Sequence, residues 1–528
     1  MPAEIGSSRS SRPTRTCPVS RAVRGCACSS SAARSSAPGA QYESSSANAT
    51  NGVSASATPT LRAAPAPALR PSGTTRTSGK ARATASGVPS SEPLSTTITG
   101  AVCRGSSSSS WSRRLRVATT IVTSVMAAQV PGPARVHSIP TGAIPATSPV
   151  REPSGGKTHR MAELTLFLAG DVMTGRGVDQ ILPRPGPPAL REQAVTDARR
   201  YVELAESVTG PLPRPVPPDW PWGDALRLLD ALRPDVRIVN LETSVTARGE
   251  YAPGKGIHYR MHPENVSCLT AARLDICALA NNHVLDFGPE GLADTLDTLR
   301  RAGITPAGAG RDDTAAWRPA EVPLDGGGRL LVWSVGAPSS GIPPQWAAGA
   351  GRAGVAYLPE ISEATADALA DRIARVAGPA DLVVVSVHWG SNWGYEVPDE
   401  HVRFAHRLVE SGVHLVHGHS SHHPRPIERY RGRLILYGSG DLIDDYEGIG
   451  GQETYRPELR LLHLPTFDAA TGELRRLRLV PVRIRRMRLE PAPAPDAAWL
   501  ADLLDGLGAP YRTRFTLDEQ GLIRLRSA

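Results

Sequence analysis

Long apolar runs and paired cysteines are both scarce in this chain, and each absence excludes a class of protein. No stretch reaches the roughly 18–20 consecutive apolar residues of a membrane-spanning helix, so we expect no membrane span. The sequence contains 6 cysteines, of which only Cys268 and Cys277 follow residue 160. It therefore has neither a disulfide framework nor a zinc-finger spacing. This use of cysteine is compatible with a reducing compartment, and we expect a cytoplasmic protein.

Acidic residues are almost missing from residues 1–160, which hold 19 Lys and Arg against 4 Asp and Glu. The rest of the chain holds 40 basic and 47 acidic side chains, so the overall net charge of +8 describes neither part. A basic patch that binds nucleic acid would have to lie within the folded region. The sequence therefore predicts no nucleic-acid partner.

Residues 1–160 are rich in Ser, Arg, Ala, Pro and Thr, and they show no sustained apolar periodicity. Such a segment cannot bury enough apolar surface to offset its ordering entropy, which predicts a disordered low-complexity extension. The alternative that we favour is a translation start near Met161, just before the first predicted strand. The export-like pattern at Arg113–Ala128 is short, rich in Thr and far from residue 1, which disfavours a signal peptide.

From residue 161 onward, apolar runs typical of strands alternate with stretches of helical spacing. The β-branched run Asp381–Val387 predicts a strand, and the apolar spacing in Pro289–Ala302 predicts an amphipathic helix. This alternation predicts α/β layers with parallel strand pairing. Arg475–Arg488 alternates Arg with apolar residues around Pro481, which predicts two strands of a half-exposed sheet. Residues 497–507 predict a terminal helix.

Several apolar runs from residue 164 onward end in side chains that can bind ligands. One of them, Cys277–Gly288, is by itself equally well explained as a strand-to-helix turn in which Asn and Asp act as cap residues. The repetition of the pattern favours a binding site, since ligands bind at the carboxyl ends of strands in open α/β sheets. The side chains at these ends are Asp171, Asn240, Glu242, Asn282, His283, His388, His417, His419 and His422.

This set mixes carboxylates, amide oxygens and imidazoles, and it contains no thiolate. Such ligands suit Mn, Fe or Zn. The set is too large for one tetrahedral ion, whereas two divalent metal ions about 3.5–4 Å apart and bridged by a carboxylate would use it. Five histidines between His414 and His423 are also hard to explain as packing, because buried imidazoles need partners.

Five short motifs carry a resemblance to a known family. They are Gly170-Asp171-Val172-Met173, Asn240-Leu241-Glu242, Asn281–Gly288, His388-Trp389-Gly390 and Gly418-His419-Ser420-Ser421-His422. In this order they resemble the motifs of the CapA family of poly-γ-glutamate capsule biosynthesis proteins, a branch of the calcineurin-like metallophosphoesterases. The resemblance covers about Leu164 to Asp445. It implies a four-layer α/β-β/α sandwich in residues 161–528, with 447–528 completing the second sheet.

The resemblance also implies roles for individual residues. The implied metal ligands are Asp171, Glu242 as the bridging carboxylate, Asn282, His388, His419 and His422. His283 would be the general acid that protonates the leaving oxygen, Asp286 would hold its tautomer, and a metal-bound hydroxide would be the nucleophile. The expected substrate-binding residues are Arg260, Lys255, Asn240 and His417; His417 could instead support the ligands from behind.

Three departures from the family pattern bear on the site. Ordinary phosphoesterases carry Asp-x-His in the first motif, whereas Met173 stands at that His position here, which puts the second metal in doubt. The bridging group is Glu242 rather than Asp, as is usual in the CapA branch. The last motif leaves open whether His422 or His423 is the ligand, although the spacing favours His422.

Two functions follow from the resemblance. The first is a metal-dependent hydrolase that acts on a phosphoester-like bond, or on an amide or peptide bond, in poly-γ-glutamate or capsule biosynthesis. The second is a non-hydrolytic, metal-containing component of poly-γ-glutamate synthesis or export that binds an anionic polymer. The expected partner is an anionic small molecule or a γ-glutamyl substrate.

Overall fold

The computed structural model describes residues 163–325 and 327–526. The predictions of a disordered extension, of a start near Met161 and of an export-like pattern lie outside these residues. Among the residues that are described, no helix combines the length and the apolarity needed to cross a membrane.

The strands are β1 (Glu163–Val172), β2 (Val236–Leu241), β3 (Ser244–Val245), β4 (Arg260–Met261), β5 (Ile276–Ala278), β6 (Thr305–Ala307), β7 (Ala309–Gly310), β8 (Ala320–Pro323), β9 (Arg329–Gly336), β10 (Gly354–Val355), β11 (Leu382–His388), β12 (Leu415–His419), β13 (Ile427–Tyr430), β14 (Arg433–Leu436), β15 (Asp441–Ile443), β16 (Leu459–Asp468), β17 (Leu474–Ile484), β18 (Leu489–Pro491), β19 (Phe515–Leu517) and β20 (Ile523–Leu525).

The helices are α1 (Arg176–Ile181), α2 (Arg199–Thr209), α3 (Ala225–Leu232), α4 (Ser267–Ala271), α5 (Gly288–Arg301), α6 (Asp313–Ala316), α7 (Glu363–Ala374), α8 (Asp399–Glu410) and α9 (Ala494–Gly508). Short 3-10 turns lie at Pro263–Val266, Pro338–Ser340, Pro344–Trp346, Glu453–Tyr455 and Ala509–Tyr511.

The strands form two large sheets. The first has the order β19-β20-β17-β16-β1-β2-β5-β6, with β15 beside β1 and β18 beside β17. The second has the order β13-β14-β12-β11-β9-β8. The central strands of both sheets are parallel, as the alternation of strands and helices predicts. Their carboxyl ends therefore carry the polar residues toward one region.

The two sheets pack face to face over an apolar interior. Leu166 and Leu168 of β1 lie in the same buried cluster as Val332 of β9 and Val384 of β11. Phe167, between the two leucines, points to the opposite face of the first sheet. The run from Leu166 to Ala169 is apolar without alternation because this part of β1 is covered on both faces.

Helices cover the outer face of each sheet. Leu292, Leu296 and Leu299 of α5 pack in the cluster on the outside of the first sheet. Phe404 and Leu408 of α8 pack in the corresponding cluster on the second sheet. The order is therefore helices, sheet, sheet, helices, and the predicted four-layer sandwich is confirmed.

The C-terminal region differs from the sequence prediction in its sheet. Residues 447–528 were expected to complete the second sheet, but their strands extend the first one. β16 runs antiparallel to β1, with Glu163 opposite Asp468 and Leu168 opposite His463. The short strands β19 and β20 follow α9 and pair beyond β17. Pairing with β1 depends on contacts distant in sequence, which a local pattern does not contain.

The predicted break at Pro481 is also wrong, because β17 continues through this residue opposite Leu461 of β16. The carbonyl of Pro481 accepts a hydrogen bond from the amide of Ala492, on the side of β17 away from β16. Its nitrogen faces that same side, so proline costs the strand no hydrogen bond to β16.

Candidate metal centre

Asp171 lies where three strands of the first sheet meet. It is the register partner of Asn240 in β2 and of Asp441 in β15. β15 approaches closely because residue 170 is glycine: a Cβ at Gly170 would lie 1.9 Å from the carbonyl oxygen of Gly440. Asp171 and Asp441 are both almost fully buried. Two carboxylates are thereby placed side by side at the strand ends.

Asn240 positions the carboxylates from beneath. Its Nδ2 donates to Asp171 Oδ1 and to Glu242 Oε2, both at 2.7 Å, and its Oδ1 accepts from Asn281 Nδ2 at 2.9 Å. Asn240 is completely buried. The amide of Asn240, expected to bind substrate, is thus placed in hydrogen bonds inside the protein.

The second sheet contributes two histidines to the same place. His388 ends β11, His419 ends β12, and the two are register partners whose Nδ1 atoms are 2.8 Å apart. His388 Nε2 lies 3.2 Å from Asn282 Oδ1 and 3.6 Å from Glu242 Oε1. His419 Nδ1 lies 3.9 Å from Asp171 Oδ1. Imidazoles of one sheet thus face carboxylates and an amide of the other.

His417 lies behind these histidines. The hydroxyl of Ser386 lies 3.1 Å from His417 Nδ1 and 2.9 Å from His419 Nε2. The Nε2 atom of His419 therefore contacts Ser386, and its Nδ1 atom faces Asp171. His417 is fully buried behind His419, the place in which it would support the ligands. Ser386 precedes His388 by two positions on β11, a spacing that could have identified it.

His422 contacts a carboxylate that the sequence analysis did not assign. Its Nδ1 lies 2.8 Å from Asp441 Oδ1. His423 turns away: its Nδ1 lies 3.0 Å from the carbonyl of Pro424, and its ring stacks on Tyr455 with centroids 4.5 Å apart. Of the two candidate histidines, only His422 joins the carboxylates. The end of the apolar run at Leu434–Tyr437 was a signal for Asp441.

His283 lies on the edge of the centre, with Asp286 beneath it. Its Nδ1 is 2.7 Å from Asp286 Oδ2 and 3.0 Å from Lys255 Nζ, whereas its Nε2 is 4.0 Å from Glu242 Oε1. The ammonium of Lys255 also contacts Asp286 Oδ1 and the carbonyl of Asn282. Lys255 is therefore beside the site but paired with a carboxylate and a carbonyl.

Arg260, expected to bind an anionic group, is not brought to the centre. Its guanidinium carbon lies 3.5 Å from the ring centroid of Phe287, and Nη2 donates to the carbonyl of Gly249 at 3.2 Å. These contacts hold the side chain against α5 and the loop before β4. The structure thus places the guanidinium of Arg260, a residue of β4, against Phe287 and Gly249.

Two tyrosines without any distinguishing sequence signal form one wall of the site. The ring of Tyr259 lies edge-on to His283, and that of Tyr446 edge-on to His422, with centroids 4.5 and 5.4 Å apart. Their hydroxyls are 2.8 Å from each other. Tyr446 also donates to Met173 Sδ at 3.5 Å. The thioether of Met173, which stands where ordinary phosphoesterases carry His, is thus part of this wall.

The electrostatics favour binding of cations. Burial and the neighbouring Asp441 charge raise the pKa of Asp171 to about 7, and burial and Asp171 raise the pKa of Glu242 well above its usual value. Burial holds the pKa of His388 and His419 well below the usual value, so both are neutral, as metal ligands must be. Burial alone would lower the pKa of His422, but Asp441 raises it.

The residues fit two divalent cations. Asp171, His388 and His419 form one group whose candidate ligand atoms lie within 4.8 Å of one another, and Asp171, His422 and Asp441 form a second. Within the described ranges, Asp171 Oδ2 and Asp441 Oδ2 have no hydrogen-bond partner although both are buried. The residue shared by both groups is Asp171. Glu242 is in neither group; one of its oxygens accepts from Asn240, and His388 lies beside the other.

Comparisons with known proteins agree with the motif order. A family model described as "Bacterial capsule synthesis protein PGA_cap" matches residues 165–446. A protein of Mycobacterium tuberculosis described as a "Probable polyglutamine synthesis accessory protein" is 50% identical over 69% of this chain and 96% of its own length. The "PGA biosynthesis protein CapA" of Bacillus subtilis is 26% identical over 55% of this chain and 65% of its own length.

Among solved structures, a "novel phosphatase" of Mycoplasma pneumoniae aligns with 61% of this chain and 94% of its own, with 12% identity and a TM-score of 0.35.

Proposed function

Because the chain belongs to the bacterial capsule synthesis protein family PGA_cap, we propose that it is a metal-dependent hydrolase of the CapA type. Its reaction is the cleavage of a phosphoester-like bond in poly-γ-glutamate or capsule biosynthesis. The observation that carries this proposal is the pair of ligand groups that share the buried Asp171, with His283 beside them. The proposed substrate is an anionic small molecule or a γ-glutamyl compound.

The proposed ligands of the two cations are Asp171, His388, His419 and His422, with Asn282 and Glu242 beside His388. Divalent cations held by these residues would supply activation of a water and neutralisation of the charge that develops on the substrate. His283 gives its Nε2 proton to the leaving oxygen while the ammonium of Lys255, 3.0 Å from Nδ1, returns a proton to the ring, so that the imidazole stays neutral. Asp286, which also accepts from the amide of Tyr259 at 2.7 Å, holds the ring in place.

A non-hydrolytic role is the second candidate. Relatives carry the descriptions "accessory protein" and "biosynthesis protein" rather than the name of a hydrolase. In this role the same cations would hold the carboxylates of an anionic polymer during synthesis or export. No turnover would then be expected, although the metal centre would be the same.

The test is metal analysis and turnover by the full chain. We expect bound Mn, Fe or Zn and Mn-dependent hydrolysis of bis(p-nitrophenyl) phosphate. His283→Gln should lower kcat about 10²–10⁴-fold, the usual contribution of a general acid, without loss of metal. His406→Gln is the control, because that ring lies on the outer helix α8, where it contacts Glu428 of β13. Metal without turnover supports the binding role, and full activity of His283→Gln overturns the acid assignment.

A further inference from the structure

Asp441 is the first residue of the short strand β15, which follows a loop. The short strand β15 pairs in parallel with β1, and this pairing makes Asp441 the direct neighbour of Asp171. The amide of Asp171 donates to the carbonyl of Gly440 at 3.2 Å, which fixes the two backbones at this point. The carboxylate of Asp441 is therefore set by backbone pairing and not by a flexible loop.

The carboxylate of Asp441 is only partly used by the protein. Oδ1 lies 2.8 Å from His422 Nδ1, whereas Oδ2 has no hydrogen-bond partner among the described residues, although Asp441 is 1% exposed. Asp171 Oδ2 likewise has no hydrogen-bond partner among the described residues. A buried carboxylate oxygen without a partner is costly, and two adjacent ones repel each other. Both costs are removed when a cation lies between the two carboxylates.

We propose that Asp441 is a ligand of the second cation, together with Asp171 and His422. These three residues offer ligand atoms within 4.8 Å of one another. The inference rests on the proposed function in that both require bound divalent cations. It adds a ligand that the family motifs do not supply.

The same geometry indicates which metal this position takes. Its donors are two carboxylates and one imidazole, whereas the other position has the imidazoles of His388 and His419. The neighbouring sulfur of Met173 is no competitor, because a thioether is a soft donor and this one accepts from Tyr446. The oxygen-rich position suits Mn²⁺ or Mg²⁺, and the imidazole-rich position suits Zn²⁺ or Fe²⁺.

A different role for Asp441 would give a similar contact with His422. Carboxylates often orient a histidine ligand without binding the metal, and loss of such a partner costs about 10–100-fold in metal affinity. Weaker binding by a variant therefore does not by itself separate the two roles. A direct signature of ligation is needed.

The experiment uses the full chain, freed of metal by chelation and checked for an unchanged thermal transition. Titration with Mn²⁺ should give two equivalents for the wild type, whereas Asp441→Asn should bind the second equivalent at least about 10-fold more weakly. Asp441→Cys, loaded with Co²⁺, should show sulfur-to-cobalt charge-transfer absorption, because a coordinating thiol is deprotonated. Asp444→Cys is the control: this buried carboxylate contacts Arg460 and should give no such band.

Two unchanged equivalents in Asp441→Asn, or no charge-transfer band in folded Asp441→Cys, would overturn the assignment of Asp441. If the wild type still binds metal and hydrolyses the phosphoester in that case, the proposed function stands and only this inference fails. A wild-type chain that binds no divalent cation overturns both.

Discussion

At the scale of single residues, His283 is held between two partners of opposite charge. Burial and the ammonium of Lys255 lower its pKa to about 4, and Asp286 acts in the raising direction. The imidazole is therefore neutral near pH 7 and carries a single proton. Lys255 controls this state from 3.0 Å without itself meeting the carboxylates of the metal centre.

Replacement of this lysine should change the titration of the histidine. In the metal-free protein, Lys255→Met should raise the pKa of His283 from about 4 by about one to two units, because a like charge is removed while Asp286 remains. A pH titration of the imidazole signals by NMR measures the shift. Lys255→Arg keeps the charge and is the control. An unchanged pKa in Lys255→Met would show that burial alone sets it.

At the scale of elements, the approach of β15 to β1 determines what the centre contains. The two strands can pair only if the residue before Asp171 has no side chain, since the space beside Gly170 is filled by the backbone of Gly440. The close contact between β15 and β1 therefore fixes the position of Asp441 beside Asp171.

Gly170→Ala should separate the two strands. The added Cβ would lie 1.9 Å from a carbonyl oxygen, so we expect a loss of about 1–3 kcal/mol in the free energy of unfolding, the usual range for overpacking. Urea unfolding measures the loss. Gly506→Ala in α9 is the control, since nothing lies within 4 Å of its added Cβ, and it should be neutral or slightly stabilising. Equal stability of the two variants would contradict this account of the strand contact.

At the scale of the whole molecule, the two sheets enclose polar groups as well as leucines. His463 of β16 is fully buried, and burial lowers its pKa to about 4. In the unfolded chain the same imidazole has a pKa near 6.5. Between about pH 6.5 and pH 4 the unfolded state therefore binds a proton at this residue, whereas the folded state does not. Its effect on stability is therefore absent above about pH 6.5 and grows as the pH falls toward 4.

The free energy of unfolding should fall on acidification for this reason. The two pKa values give a loss of about 2 kcal/mol between pH 7.5 and pH 5 from His463 alone. Urea unfolding of the metal-free protein at a series of pH values measures the slope, and His463→Gln should have a shallower one. A variant profile as steep as that of the wild type would mean that other groups cause the acid sensitivity.

The sequence by itself determined the layered α/β fold and most of the groups at the strand ends. β-Branched runs such as β11 are local signals, and parallel strands bring their carboxyl ends to one edge of a sheet regardless of the connecting loops.

Only the tertiary structure decided that His422 rather than His423 contacts the carboxylates and that Asp441 lies beside them. It also placed Arg260 against Phe287 and His417 behind His419. It also decided that the C-terminal strands extend the sheet of β1. These outcomes depend on how strands far apart in sequence pack against each other, and on which direction each loop turns its side chains. Neither is encoded in a local pattern.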